Sequence, residues 1–205
     1  MDQPIVWRPD EERASRTHTA RFMARHGIAT YDELYARSID DPEWFWDAVV
    51  DYLGIPFTQP YRQVMDLSRG APWARWFVGG QVNLSAACVD RWVESQGDLP
   101  AVIGEREDGE SVAWTFSELR EVVSRLAGGL ARLGVQPGDA VGVFLPMSPE
   151  AIAAFLATAR VGAVFIPIFS GYAAEAVANR LLDPRPRVLI CADGFFRRGR
   201  LVEMK

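Results

Sequence analysis

Between residues 137 and 191, three short, wholly apolar stretches alternate with segments of helical length, and few folds accommodate that pattern. Residues 140–145 follow the turn Pro137-Gly138-Asp139 and read as a strand. Ser148-Pro149 starts a helix that ends near Gly162, residues 164–168 form a second strand, 173–182 a second helix and 188–191 a third strand. A strand that is apolar on both faces must be covered on both faces, and crossover helices are the usual cover. Such connections are right-handed. The spacing therefore predicts an α/β fold: β-α-β units forming part of a parallel sheet.

The upstream sequence has other signals. Residues 101–106 and 111–116 flank Asp108-Gly109 and predict a hairpin. Thr115 and Glu118 have capping-box spacing, and Leu119, Val122, Val123, Leu126, Leu130 and Leu133 then mark one helical face ending at Gly134. Asn83 or Ser85 can cap a helix running through Cys88, Trp92 and Val93. Residues 9–53 read as helical, with Asp41 capping a helix that has Pro42 in its first position. Trp44 and Trp46 on that helix read as a bulky packing face rather than a ligand cage. His18 and His26 lie in polar stretches without a third ligand and read as surface histidines. Residues 54–84, rich in Pro, Gly and aromatics, predict an extended strap that buries Trp73, Trp76 and Phe77. The chain thus divides into a helical and strap region, 1–84, and the start of an α/β domain, 85–205.

Several functions are disfavoured. A net charge of −5 does not suit nucleic acid, whose phosphates need a basic surface. No apolar run approaches the roughly 20 residues of a membrane span, and the opening MDQPIVWRPDEE lacks the basic-then-apolar order of a signal peptide. The expectation is a cytoplasmic protein with no membrane partner. Cys88 and Cys191 make neither a disulfide framework nor a metal knuckle. Of the 22 basic residues, 21 are Arg, and the single Lys is Lys205. Neither a dinucleotide fingerprint nor a phosphate-binding P-loop is present.

In an open parallel sheet, ligands bind beyond the carboxyl ends of the strands. Two predicted loops leave those ends, Phe169-Ser170-Gly171-Tyr172 and the stretch from Ala192 to Arg200. If their strands are parallel neighbours, the loops share one edge. The first opens a helix, whose free N–H groups attract an anion, and Gly171 permits close approach to the backbone. The second brings Arg197, Arg198 and Arg200, which can clamp phosphate and stack on a purine. Taken alone, the arginine run also reads as a solvated turn. Together the loops suit a phosphorylated nucleotide.

The string Trp76-Phe77-Val78-Gly79-Gly80-Gln81-Val82-Asn83 resembles an amino-terminal motif of acetyl-CoA synthetases. Similar to the same family, and in the same order, are Cys88-Val89-Asp90-Arg91, Thr115-Phe116-Ser117-Glu118-Leu119, Leu145-Pro146-Met147-Ser148-Pro149-Glu150-Ala151 and Ala192-Asp193-Gly194 ahead of Arg197-Arg198-Gly199-Arg200. That family belongs to the adenylate-forming superfamily. The resemblance implies a reaction in which a carboxylic acid and ATP give an acyl-adenylate and pyrophosphate, after which CoA displaces AMP. It implies CoA and ATP with Mg2+ as substrates and no tightly bound cofactor. It places Arg197 and Arg200, with Arg198, at the adenine and 3′-phosphate end of CoA, and Gly171 along the CoA path. The sequence departs from the family pattern at Ser170, where a glycine is common, and at Phe165-Ile166-Pro167-Ile168. The family's phosphate loop ending in Pro-Lys, its ribose-binding Asp and its adenylation Lys do not occur in these residues. The resemblance therefore implies an amino-terminal segment of an acyl-CoA ligase, without catalytic residues of its own and inactive alone. A standalone CoA- or nucleotide-binding module is the alternative. The acid and the oligomeric state stay open.

Overall fold

The computed structural model describes residues 6–107 and 109–204. Contacts divide the chain into two compact units, Met1–Gln81 and Val82–Lys205.

The first unit opens with four helices, α1 (Glu11–Ser15), α2 (His18–Arg25), α3 (Tyr31–Asp40) and α4 (Pro42–Leu53). Each is capped by a side chain, in order Asp10, Thr17, Thr30 and Asp41, which accepts a hydrogen bond from the first turn. Their core is Phe22, Ile28, Leu34 and Ala48, with Trp44 and Phe45 packed against it. His26 is not the surface residue its polar neighbours imply. Its ring lies 4.6 Å from Phe22 and 5.5 Å from Trp44, half-buried, because the turn after α2 folds it back onto the aromatic cluster. Strands β1 (Phe57–Gln59), β2 (Gln63–Asp66), β3 (Arg75–Val78) and β4 (Gln81–Val82) come next. β2 and β3 form an antiparallel pair. The strap aromatics are not all buried as the sequence predicts: Trp73 is 65% and Trp76 42% exposed. A two-stranded ribbon has no second layer to cover both its faces, and only Phe77 is half-buried.

In the second unit, Asn83 rather than Ser85 caps the first helix, with Asn83 Oδ1 accepting from the Ala86 N–H at 3.2 Å. A π-helical turn, Ala86–Asp90, leads into α5 (Arg91–Gln96). The predicted hairpin is β5 (Pro100–Glu105) and β6 (Ser111–Thr115); Asp108 at its turn lies outside the described residues, as does Lys205. The capping box at Thr115 and Glu118 starts α6 (Phe116–Arg132). Its inner face buries Leu119, Val123, Ala127 and Leu130, whereas Leu133, expected on that face, is 64% exposed because the helix has ended before it.

Strand β7 (Ala140–Phe144), α7 (Pro149–Arg160), β8 (Val164–Pro167), α8 (Ala174–Leu182) and β9 (Val188–Cys191) complete the expected β-α-β units. The sheet order is β8-β7-β9, all parallel. Val141 and Val143 enter the core shared with α6 and α7. On β7, a Cβ at Gly142 would meet Leu189 Cδ1 at 3.0 Å and Leu181 Cδ2 at 3.2 Å, so glycine lets α8 and β9 pack close. The described chain ends in an antiparallel hairpin, β10 (Gly194–Arg197) and β11 (Arg200–Glu203). No described helix is long and apolar enough to cross a membrane.

Candidate functional site

All three parallel strands point their carboxyl ends the same way, so the segments after β8 and β9 leave the same end of the sheet. The two strands are not neighbours. β7 lies between them, which separates their ends by two strand spacings, about 10 Å. A small apolar cluster nevertheless joins the two segments: Phe144, Ile168 and Val177 are buried, and Tyr172, Leu181 and Met204 pack against them. Tyr172 belongs to the first segment, and Met204 comes directly after the hairpin of the second.

Gly171 is exposed in the turn after β8. Its backbone does not need glycine, because its φ lies outside the left-handed region, but an added Cβ would meet a neighbouring ring. A Cβ there would stand 2.6 Å from Cε1 of Phe169. The space over Gly171 is thus taken by the Phe169 ring, itself 59% exposed and edge-on to Tyr172 at 5.5 Å. Arg180 backs this turn, with its guanidinium 4.0 Å from the Tyr172 ring and Nη2 donating to the Tyr172 hydroxyl at 2.9 Å. α8 begins after Ala173, which offers no side-chain cap to the first-turn N–H groups.

The arginines are not on a loop. Arg197 ends β10 and Arg200 begins β11, directly opposite each other in the register, with only Arg198 and Gly199 between them. Both turn residues have positive φ, 54° and 69°, as a type I′ hairpin turn requires. Gly199 adopts that region freely, whereas Arg198 does so against its Cβ. At the other end, the Met204 N–H donates to the Asp193 carbonyl at 2.8 Å. A Cβ on Gly194 would lie 2.7 Å from the Val202 carbonyl oxygen, so glycine permits the close strand approach there.

Opposite residues of an antiparallel pair share a face, so the Arg197 and Arg200 side chains stand side by side. All three arginines of the tip are exposed. Among the described residues, none of their guanidinium groups has an ion-pair partner. Like charges set opposite each other repel unless an anion joins them. The fork geometry of guanidinium suits a phosphate or carboxylate.

One residue at this tip is absent from the sequence expectations. Glu107, beside the turn of the β5–β6 hairpin, accepts the Gly199 N–H at Oε2, 3.2 Å away and 92 positions along the chain. The backbone N–H groups of Arg198 and Gly199, aided by the Arg197 and Arg198 charges, hold its carboxyl below the ordinary range. No local pattern marks Glu107, since the contact exists only once both hairpins are placed. Among the described residues, no group of three or more His, Cys, Asp or Glu side chains could hold a metal ion, so Mg2+ is assigned no ligand here.

Residues 89–203 match the family model for AMP-binding enzymes, and residues 31–88 match that for the acetyl-coenzyme A synthetase N-terminus. The acetyl-coenzyme A synthetase of Deinococcus radiodurans is 40% identical over 91% of this chain and 29% of its own length. The propionate–CoA ligase of Salmonella typhimurium is 41% identical over 86% of this chain and 28% of its own. The 3-hydroxypropionyl-coenzyme A synthetase of Sulfurisphaera tokodaii is 38% identical over 89% of this chain and 28% of its own. The structure of an acetoacetyl-CoA synthetase from Streptomyces lividans superposes with a TM-score of 0.90 at 34% identity, covering 98% of this chain and 32% of that one. The chain thus spans under a third of the length of these relatives. With the two matches running in order from residue 31 to residue 203, the chain belongs to the AMP-binding enzyme family, with an acetyl-coenzyme A synthetase N-terminus ahead of its AMP-binding region.

Proposed function

We propose that this chain contributes part of the CoA site of an AMP-forming acyl-CoA synthetase. The whole enzyme joins a short carboxylic acid to CoA through an acyl-adenylate, with ATP as second substrate and Mg2+ arriving on the ATP. The relatives' names denote acetyl, propionyl, 3-hydroxypropionyl and acetoacetyl products. The acid is therefore drawn from the short-chain class, and the reaction is assigned to the cytoplasm.

The observation that carries the reading is the side-by-side placement of Arg197 and Arg200 on an exposed hairpin tip. Two guanidinium groups on one face, with no ion-pair partner among the described residues, suit the phosphates of CoA, and Arg198 adds charge at the turn. Gly171 and Tyr172 lie toward the base of the hairpin, where Tyr172 and Met204 share one cluster. Four strand residues separate base from tip, about 10 Å, a span suited to an extended ligand rather than a compact anion. The chain supplies no lysine to neutralise charge at a reacting α-phosphate apart from Lys205, so adenylation is assigned to other residues of the whole enzyme.

Calorimetric titration of the chain with CoA tests this. Saturable binding that weakens about tenfold in both Arg197→Ala and Arg200→Ala supports it, the loss expected for one charge-assisted contact. Equal binding in the variants contradicts it, whereas no binding in the unchanged chain fits a CoA site completed by the rest of the enzyme. Pyrophosphate exchange with short-chain acids is expected to be absent, and robust exchange would overturn the assignment of adenylation elsewhere.

A further inference from the structure

We propose that Glu107 is the positioning residue of the arginine hairpin: its carboxylate ties down the turn backbone, and this leaves the Arg197 and Arg200 guanidinium groups free to take an anion. The inference rests on the reading of Arg197 and Arg200 as CoA contacts and assigns the residue that holds them.

Three observations carry it. Glu107 meets the backbone of the turn, through the Gly199 N–H at 3.2 Å, and among the described residues makes no ion pair with the neighbouring guanidinium groups. A carboxylate beside three exposed arginines would ordinarily be expected to pair with one of them. Here it takes the N–H that a tight turn leaves unpaired, and the side chains stay available. Secondly, the turn needs holding. Arg198 sits at a φ of 54°, a region disfavoured for a residue with a Cβ, and the hairpin it closes has only four residues on each side. Thirdly, Arg197 and Arg200 are a like-charged opposite pair, whose repulsion splays a short hairpin unless its turn backbone is held. Glu107 supplies that hold, through its acceptor oxygen, from a separate hairpin, β5–β6, one end of which is anchored where Gly104 lies against Pro149 at the start of α7.

A positioning role differs from competition for the anion site. If Glu107 were a placeholder for the ligand, removing it would strengthen anion binding. If it holds the turn, removing it weakens binding, and an uncharged acceptor of the same shape restores it.

The test uses the full chain with Glu107→Ala, Glu107→Gln and Arg200→Ala, CoA as ligand, and amide hydrogen exchange at Gly199 as a readout independent of ligand. In Glu107→Ala, Gly199 exchange is expected to accelerate about fivefold and CoA binding to weaken about fivefold, as loss of one hydrogen bond would give. Glu107→Gln is expected to match the unchanged chain in both. Unchanged exchange in Glu107→Ala, tighter CoA binding in that variant, or a Glu107→Gln variant as impaired as the alanine would each overturn the inference. Failure of the CoA reading is distinguishable, since Arg200→Ala would then leave CoA binding unchanged while Gly199 exchange still reports on Glu107.

Discussion

Arg160 donates from Nη2 to the Asp90 carboxylate at 2.5 Å, linking the end of α7 to the π-helical turn 70 residues earlier. The same guanidinium donates from Nε to Ser85 Oγ at 3.1 Å and from Nη1 to Ser124 Oγ on α6 at 2.9 Å. The Arg160 carbonyl in turn accepts from Asn83 Nδ2 at 3.1 Å. One side chain therefore fastens three helical segments beneath the sheet that carries the candidate site.

Replacing Arg160 tests that fastening. Ser85 is fully buried, so its hydroxyl would lose its guanidinium partner. Arg160→Ala is expected to lower the unfolding free energy by about 2 kcal/mol. Arg160→Lys recovers less than half of this, because an ammonium cannot reproduce a planar fork reaching three acceptors. The urea midpoint of each variant, with the slope unchanged, measures it.

Packing at the centre of the sheet has a similar test. Gly142 faces Leu181 and Leu189 at distances that leave no room for a branched side chain. Gly142→Val is expected to destabilise by about 1–3 kcal/mol through overpacking. Thermal unfolding of the variant beside the unchanged chain measures it.

Gly171→Ala separates a binding role from a packing one. Its Cβ must displace the Phe169 ring, but that ring is exposed and can swing into solvent. Stability is expected to change by less than about 1 kcal/mol, in keeping with a surface change. CoA affinity is expected to fall severalfold as the displaced ring crowds the turn. Paired unfolding and calorimetric measurements distinguish the two effects.

The first unit carries an acid-sensitive contact. The Ser68 N–H, donating to Asp66 Oδ1 at 2.8 Å, is the largest cause of the lowered Asp66 pKa, with the Arg75 guanidinium next. Together they hold Asp66 down from 3.8 to about 2. A carboxyl whose folded value is depressed contributes stability that is complete above its unfolded value and is lost as pH falls through the folded one. The loss therefore falls between about pH 4 and pH 2. In Arg75→Ala, Asp66 is expected to titrate higher but still below its ordinary value, because the Ser68 bond remains. An NMR titration of the Asp66 carboxyl measures both.

What the sequence makes legible is what local chemistry decides. β7 and β9 read as strands because Ala140–Phe144 and Val188–Cys191 are apolar throughout and bounded by turns or helices. α6 reads as a helix because Thr115 and Glu118 announce its start. The central position of β7 is not legible, since strand order depends on which crossovers pack where. The arginine hairpin hides for a different reason. Its turn is Arg198-Gly199, without the Asn-Gly or Asp-Gly that signals a type I′ turn, so its charges read as a solvated loop. Exposure of Trp73 and Trp76 is likewise invisible to a hydropathy argument, because large aromatic residues suggest cover wherever they occur. That Arg197 and Arg200 follow β9 is legible; their facing register and the Glu107 contact with Gly199 are not.

Whether the Arg197–Arg200 tip receives CoA can be read at the backbone amides of the chain, followed by NMR as CoA is added. The expected result is saturable shifts concentrated at Arg197, Arg198, Gly199 and Arg200, with smaller ones at Gly171 and Tyr172, all abolished in the Arg197→Ala/Arg200→Ala double variant. Shifts that fall elsewhere, or that persist unchanged in the double variant, would contradict it.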